Sequence, residues 1–452
     1  MTISANTVWE VRTTGNDTQC GGGFDATIAG AGTDYSQQNS AQATGTVTSS
    51  TTTVTATTGI FTAAMVGNSI TDGTTYKQIT GYTSATVVTV DSAPAWTSAT
   101  VYVGGALASP GKTAGLTTAG NTVYIKTGIY LVTTASANVL NGCVSITAAG
   151  TAARPNFWRG YTTARGDASG AKPVLKASGI TNATLVSLTG TYTRFENMEL
   201  DGNTLTSITT LTSNANEVLI RNGTFRNGTN NGLNLSGRCE VYNSAIIACG
   251  SGGTYAVLLG QPASLYNCTL DACSNDLNVA GTTGGSFIDH CLFRNHVSGG
   301  AVVNFNGCIG TRITYCTFYN NSADNINLGN NNNTVTFCLF VSSGGYGING
   351  TVAGNGVNSL IYYCAGYANT SSNYNTALTN VVGFVPLTTN PFNNASGGDF
   401  SLNNLAGGGA LCRAAGLPGA FPGLPNTARY QDIGAVQHSD PIKIRGRLGD
   451  GR

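Results

Sequence analysis

The sequence predicts an all-β protein built as a parallel β-helix of about 24 residues per coil. Three observations carry this prediction. Between about residues 192 and 370 a unit recurs eight times: FENMEL, IRNGTF, VYNSAI, LYNCTL, IDHCLF, ITYCTF, VTFCLF and IYYCAG. Its fourth position is held by Met198, Gly223, Ser244, Cys268, Cys291, Cys316, Cys338 and Cys364, spaced 21 to 26 residues apart. Helical solenoids need about 33 to 47 residues per repeat and a helical pattern. Secondly, the columns are chemically coherent. Three positions before the anchor stand Phe195, Ile220, Val241, Leu265, Ile288, Ile313, Val335 and Ile361; two after it stand Leu200, Phe225, Ile246, Leu270, Phe293, Phe318, Phe340 and then Gly366. Both read as inward apolar ladders. Thirdly, 61 glycines and an abundance of Thr, Asn and Ser accompany a charged content of only 9%, against about 25% in an average domain.

Taken in order, residues 1–40 form an N-terminal segment without a clear pattern. Residues 41–105 contain alternating runs (TVTSSTTTVTATT, TYKQITGY, ATVVTVDS, ATVYVGG) separated by turns, which predicts a small antiparallel β-module. PGKTAGLTTAG reads as a short helix closing the bore, and GNTVYIKTGIYLV (120–132) as a first coil. CVSIT, PNFWRGYTT and PVLKASG read as early irregular coils of a β-helix spanning 106–385. Within each unit Asn197, Asn222, Asn243 and Asn267, then His290, Tyr315, Phe337 and Tyr363, precede the anchor. The period-2 phase slips by one there, and a slip requires a sharp bend between strands. We expect this column to face inward, its asparagines forming an amide ladder. A further strand follows (GLNL, AVLL, DLNV, AVVNF, NINL, YGING), so equivalent strands stack about 4.8 Å apart along the axis. Residues 386–452 read as a C-terminal cap and a basic tail.

Composition excludes several classes. A net charge of +1, with 21 Lys and Arg against 20 Asp and Glu, lacks the basic surplus of a nucleic-acid binder. Hydrophobic residues at 41% argue against charge-driven disorder, and glycine has no three-residue period, which removes collagen. No run approaches 18 apolar residues, so no membrane helix is expected. MTISANTVWEVRTTG shows neither a basic leader nor an apolar run. An extracellular-looking composition without a visible export signal fits a virion component assembled in the host cytoplasm. It equally fits a mature chain stripped of its signal, or a chain exported by another route.

GNTVYIKTGIY resembles the opening coil of the pectate-lyase-like right-handed parallel β-helix superfamily. GGDFSLNNLAGGGALCRAAG followed by DIGAVQ resembles the closing segment of such repeat proteins. With the N-terminal module, the whole resembles phage-encoded β-helix proteins, including tailspikes and other virion surface proteins. The resemblance covers roughly residues 100–437. It implies the fold, and as partners other virion proteins, a homotrimer and a bacterial surface polysaccharide. It does not fix chemistry, because this superfamily hosts lyases, hydrolases, adhesins and inert structural proteins.

Chemistry-bearing residues are sparse. Cys268, Cys291, Cys316, Cys338 and Cys364 share one column and read as small buried thiols. Zinc would need repeated local C-x2-4-C pairs, and of these the sequence supplies only Cys268 with Cys273, so neither metal nor cofactor is expected. Cys249 and Cys273 share a second column and would pair only if reach and redox state allowed. Glycan hydrolysis needs two carboxyl groups roughly 5 to 9.5 Å apart. The candidates are Asp271, with Arg294 one coil on, and Asp289, which joins His290, Arg294 and His296 in the densest polar cluster, with Asp276 and Asp324 nearby. The plainer readings are a continued ladder for His290 and a surface ion pair for Asp289 and Arg294. Glu196, Glu199 and Asp201 share one early coil and read as a solvated face. The acids are too scattered for a calcium-dependent lyase site. Among outward aromatics, Tyr242 and Tyr266 lie two before the anchor, Tyr319 and Tyr367 three after it. Such tyrosines stack on sugar faces while donating hydrogen bonds, though aromatic ladders also simply stabilise sheets.

The expectation is therefore a phage virion surface protein (tailspike, tail fibre or capsid decoration) presenting a rigid β-helix to host glycans or neighbouring subunits. The alternative is a polysaccharide lyase or glycoside hydrolase on the same scaffold; a cell-surface adhesin is disfavoured by the lack of a visible export signal. The basic tail, with Lys443, Arg445, Arg447 and Arg452, is expected to dock on another subunit.

Overall fold

The computed structural model describes residues 3–437 apart from 169, 252, 261, 281–284, 306–307, 330–331, 351–357 and 422–423, and the side chains of 418–429. The basic tail lies outside the described residues. The main body is a parallel β-helix of three sheets, with 13, 11 and 11 strands. Its register follows the repeat. Phe195 stands over Ile220, Ile220 over Val241, Val241 over Leu265, and so on to Ile361 in the first sheet. Leu200, Phe225, Ile246, Leu270, Phe293, Phe318 and Phe340 do the same in the second. Both columns are buried throughout. Phe293, Phe318 and Phe340 stack face to face, with centroids 4.7 and 5.0 Å apart.

The bend has a definite backbone cause. Asn197, Asn222, Asn243, Asn267, His290, Tyr315, Phe337 and Tyr363 all hold a positive φ of 48 to 57°. Asparagine tolerates this left-handed region better than most residues, because its short amide bonds the local backbone. The column differs from expectation in facing outward: Asn243 and Asn267 are exposed. One step of the amide ladder is made, Asn267 Nδ2 donating to Asn243 Oδ1 at 2.8 Å. Where asparagine gives way to aromatics, stacking replaces it, with His290, Tyr315 and Phe337 at 5.0 Å intervals. A second left-handed column four residues after the anchor (Asn227, Ala248, Ala272, Asn295, Asn320, Ser342, Ala368) turns the chain from the second sheet to the third.

The first rung begins earlier than residue 120. Val8–Val11 pairs in parallel with Thr122–Lys126, so the N-terminal segment supplies a strand of the first sheet. The residues between them make the antiparallel module, a closed six-stranded barrel with its own core of Val47, Val54, Ile70, Ile79, Val88 and Val101. Tyr76 of the barrel is buried in the helix core edge-on to Trp9, its hydroxyl donating to Asp17 O at 2.8 Å. The short helix Pro110–Ala114 starts on Ser109, whose hydroxyl caps Lys112 N, and brings Ala114 into the end of the bore.

The C-terminal segment lies along the outside of the second sheet. A third core joins Leu339, Val341 and Ala365, on the sheet's outer face, to Leu387, Phe392, Phe400, Leu402 and Ile433. The DIGAVQ motif makes the clasp. Gly434 N donates to Phe337 O at 2.9 Å and Ala435 N to Thr317 Oγ1 at 2.8 Å. Gly434 has φ +108°, and a Cβ there would stand 2.9 Å from Thr317 Oγ1, so no larger residue fits without displacement.

Candidate functional site

The seven residues singled out from the sequence sort into two outward columns on either side of the left-handed bend. Tyr242, Tyr266 and Asp289 stand in register on the first sheet. Asp271, Arg294 and Tyr319 stand in register on the second, and Tyr367 two rungs further along the same column.

The first column is continuous with Arg159, Glu196 and Arg221 on the earlier rungs. Arg159 to Asp289 thus spans five rung steps, about 24 Å at the usual interstrand spacing. Tyr242 and Tyr266 stack in parallel at 4.6 Å with an interplanar angle of 14°, and the Arg221 guanidinium lies over the Tyr242 ring at 5.4 Å. Burial, with Glu240 beside it, pushes the Tyr242 phenol up to about 12, so it remains a neutral donor, bonded to Glu240 Oε2 at 3.2 Å. Next to the pair, Arg159, Glu196, Arg221, Asn197 and Asn222 line a hollow of about 330 Å3, walled by Gly166 and Ala168 of the loop before the second sheet. Arg159 pairs with Glu196 at 2.8 Å. Arg221 has no carboxylate partner among the described residues and is exposed.

On the second column Arg294 Nη2 donates to Asp271 Oδ2 at 2.7 Å, and Asn295 Nδ2 to Asp271 Oδ1 at 2.9 Å. Asn320 extends this ladder, bonding Asn295 at 3.0 Å. Tyr319 is half-buried, edge-on to Phe392 and Phe400 of the C-terminal segment, and Tyr367 packs against the same third core. The cap therefore occupies most of the face these two tyrosines present. What stays open is a hollow of about 440 Å3 between Arg294, Asn295, Tyr319, Asn320 and the cap loop 395–398 with Phe400.

The polar cluster read from the sequence around 289–296 does not converge. Asp289 bonds His290 Nδ1 at 3.0 Å and accepts from Thr314 Oγ1 at 2.5 Å, and it lies on the first sheet while Arg294 lies on the second. His296 points inward. It is fully buried with Asp276, Nδ1 to Oδ1 at 3.0 Å. Ser298 Oγ lies 3.2 Å from His296 Nε2, so the three groups look like a hydrolase triad. The bonding rules this out. Nε2 is 2.8 Å from the Gly300 carbonyl, which can only accept, so Nε2 carries a hydrogen and is no base for serine. The Ser298 hydroxyl itself donates to Asn275 Oδ1 at 2.9 Å.

The other outward acids are also occupied. Arg226 Nη2 bridges Glu199 at 2.6 Å and Asp201 at 3.3 Å, Arg238 lies 3.5 Å from Glu217, and Asp324 accepts from Tyr346 N and Asn349 Nδ2. Lys172 stands near Glu199, its pKa lowered by burial, and donates to Thr224 Oγ1 at 2.9 Å. Sequence reading passed over Arg226 and Lys172, because their neighbours lie one or two coils away. Among the described residues no group of three or more His, Cys, Asp or Glu side chains is placed to hold a metal ion. All twelve cysteines are free and buried; those of the inward columns donate to carbonyls of the same and the preceding rung.

No protein-family model and no curated sequence matches the chain. Among solved structures, pectate lyase Pel9A superposes with a TM-score of 0.51 at 15% identity, over 74% of this chain and 92% of that one. The fold is the pectate-lyase-like right-handed parallel β-helix. A rhamnogalacturonan lyase aligns with a TM-score of 0.48 at 12% identity, over 64% of this chain and 86% of that one. ORF18 of Geobacillus virus E2 aligns at 0.45 and 15% identity, over 59% of this chain and about half, 52%, of the viral protein. At such identities these likenesses concern the fold, and this β-helix carries its own set of outward residues.

Proposed function

We propose that this protein is a phage virion surface component whose β-helix binds bacterial surface polysaccharide along the first-sheet column from Arg159 to Asp289. The observation that carries the reading is the stacked, half-buried Tyr242–Tyr266 pair on the outer face of the first sheet, with the exposed Arg221 guanidinium over Tyr242. Aromatic faces take the C–H face of a sugar ring, while phenol, guanidinium and Asn side chains donate to its hydroxyls. A rigid run of rungs presents these groups at a fixed repeat, which favours an extended polymer over a small solute. Binding without cleavage is the better fit, since each outward acid named above is held by a cation, an amide or a hydroxyl. Catalysis by a carboxyl pair needs one protonated and one ionised group free to reach the substrate. Assembly with other virion proteins, as a homotrimer, belongs to the same proposal.

A second reading, a polysaccharide lyase or glycoside hydrolase, draws on Lys172 with Glu199, Asp201 and Arg226, gathered at one face of the second sheet. A lysine with a lowered pKa is a candidate general base. One experiment separates the two. The intact chain is titrated against purified surface polysaccharides from a panel of bacteria, and products are assayed in parallel. Binding weakened about tenfold by Tyr266→Ala, with no shortening of the polymer, supports the first reading. Polymer cleavage abolished by Lys172→Ala or Asp201→Asn establishes the second, and cleavage lost in Asp271→Ala or Asp289→Ala would place it instead at the residues read from the sequence. Co-purification with intact virions, and with which part, tests the location.

A further inference from the structure

A hollow of about 350 Å3 lies between the N-terminal segment and the barrel, away from both outward columns. Its walls come from residues 14–20, residues 39–44 and Tyr102 of the barrel strand Trp96–Val103. The backbone around it is fixed on both sides. Gly21 N bonds Gly104 O at 2.7 Å, Gly22 N bonds Gly105 O at 2.8 Å, Gln42 N bonds Val103 O at 2.8 Å and Ala106 N bonds Gln38 O at 2.7 Å. Beneath it the Asp17 carboxylate is consumed by Ala108 N, Ser109 N and Ser109 Oγ. The hollow is therefore formed before any ligand arrives, and the ordering cost on binding is small.

None of the lining side chains is acidic or basic. The cavity offers no ion pair to a phosphate, carboxylate or amine, and its apolar surface comes from Ala41, Ala43, Cys20 and the Tyr102 ring. What it does offer is hydrogen bonds in both directions. Asn16 is spent internally: its oxygen accepts from Thr18 N, Thr18 Oγ1 and Gln19 N, and its amide donates to Gln19 Oε1 at 3.3 Å. That leaves the Gln19 amide nitrogen as a donor. Asn39 Oδ1 accepts from Thr14 Oγ1 at 2.7 Å, which fixes that amide and leaves its nitrogen as a donor too. The side chains of Gln42, Thr44 and Tyr102 have no hydrogen-bond partner among the described residues. Hydroxyl groups both donate and accept, so an uncharged polyol matches this inventory, and a pyranose ring adds a C–H face for the tyrosine.

We propose that this hollow is a second carbohydrate site, binding one uncharged glycosyl residue between Tyr102 and the amides of Gln19, Asn39 and Gln42. It is separate from the Tyr242–Tyr266 column and does not depend on it. Saturation-transfer NMR and calorimetry on the full chain test the site. The probes are the methyl glycosides of glucose, galactose and mannose, with N-acetylglucosamine, and glucuronic acid as the charged comparison. At least one neutral probe binds with a millimolar constant, glucuronic acid binds more weakly, and Tyr102→Ala reduces the affinity about tenfold, the equivalent of about 1.4 kcal/mol. Gln42→Ala, at an exposed position where folding is not in question, weakens the neutral probe similarly. Both changes leave polysaccharide binding at the first-sheet column intact, and Tyr266→Ala leaves the small-probe signal intact. No binding by any neutral probe, binding indifferent to both variants, or preference for glucuronic acid overturns the proposal.

Discussion

Replacing Asp276 by asparagine separates a structural ion pair from a catalytic one, and its size follows from the burial of the site. Asp276 and His296 have no exposed side-chain surface, and Asp276 Oδ2 has no partner among the described residues. Burial, only partly offset by His296, raises the Asp276 carboxyl to about 6, from 3.8 in water. A carboxyl that holds its proton more tightly in the native state stabilises the fold when protonated. That contribution is complete below about pH 4 and lost as pH rises through about 6. At 1.36 kcal/mol per pH unit the loss is about 3 kcal/mol. The substituted amide cannot ionise, yet it still donates to His296 Nδ1. Between pH 4 and 8 the wild type should therefore lose about 3 kcal/mol of local stability relative to Asp276→Asn. Hydrogen exchange at Leu277 N and Val303 N, which close the third-sheet rungs around the pair, reads this difference after correction for intrinsic rates. A flat or rising difference across that window would refute the reasoning. Any esterase activity lost in Ser298→Ala would contradict the assignment of the His296 hydrogen.

Three further outcomes follow from the packing. Phe318→Ala removes the centre of the buried phenylalanine stack and should cost about 4 kcal/mol in urea unfolding; Phe225→Ala, whose rung neighbours Leu200 and Ile246 are aliphatic, should cost about 1 kcal/mol less. Because the thiols are buried, none of the twelve cysteines should react with a thiol reagent in the native protein and all twelve should do so in denaturant. Arg165→Ala leaves the fully buried Glu10 with Arg12 as its one remaining cation among the described residues, so thermal unfolding should show a loss of about 3 kcal/mol.

The coils were legible because each rung repeats the same demands. An inward position must be apolar eight times over, and a left-handed position repeatedly selects asparagine, so chance agreement is small. The direction of the bend column was not legible. Its later members, Tyr315 and Phe337, are buried, as an inward residue would be, but what buries them is the C-terminal segment laid on from outside. The same segment explains a signal that is visible in hindsight. The outward second-sheet positions begin with Glu199, Asp201, Thr224 and Arg226 on the early rungs, whereas Leu292, Leu339, Val341 and Ala365 stand among Arg294, Thr317, Tyr319 and Tyr367 on the late ones. Outward positions turn apolar where something covers them. The N-terminal rung escaped notice for another reason: its two strands, Val8–Val11 and Thr122–Lys126, are separated by the whole barrel, and no local period links them.

The cap also bears on function, because it decides which face of the β-helix remains available. With the late rungs of the second sheet covered, Tyr319 and Tyr367 serve the third core, and the sequence-level equivalence of the four outward tyrosines breaks down. Tyr242 and Tyr266 differ from them in that none of the described C-terminal residues packs on them, and in lying beside Arg221, whose guanidinium covers the Tyr242 ring. Arg221 is one of several described arginines without a carboxylate partner, Arg194 and Arg312 among them, but it is the one whose guanidinium lies against the Tyr242–Tyr266 stack. Surface stability does not call for that placement, since an exposed arginine over a ring contributes only about 0.5–1 kcal/mol. A ligand that brings its own acceptors to the column would supply the missing partner, and this is why the first sheet, with its early rungs, is the face on which binding should be sought.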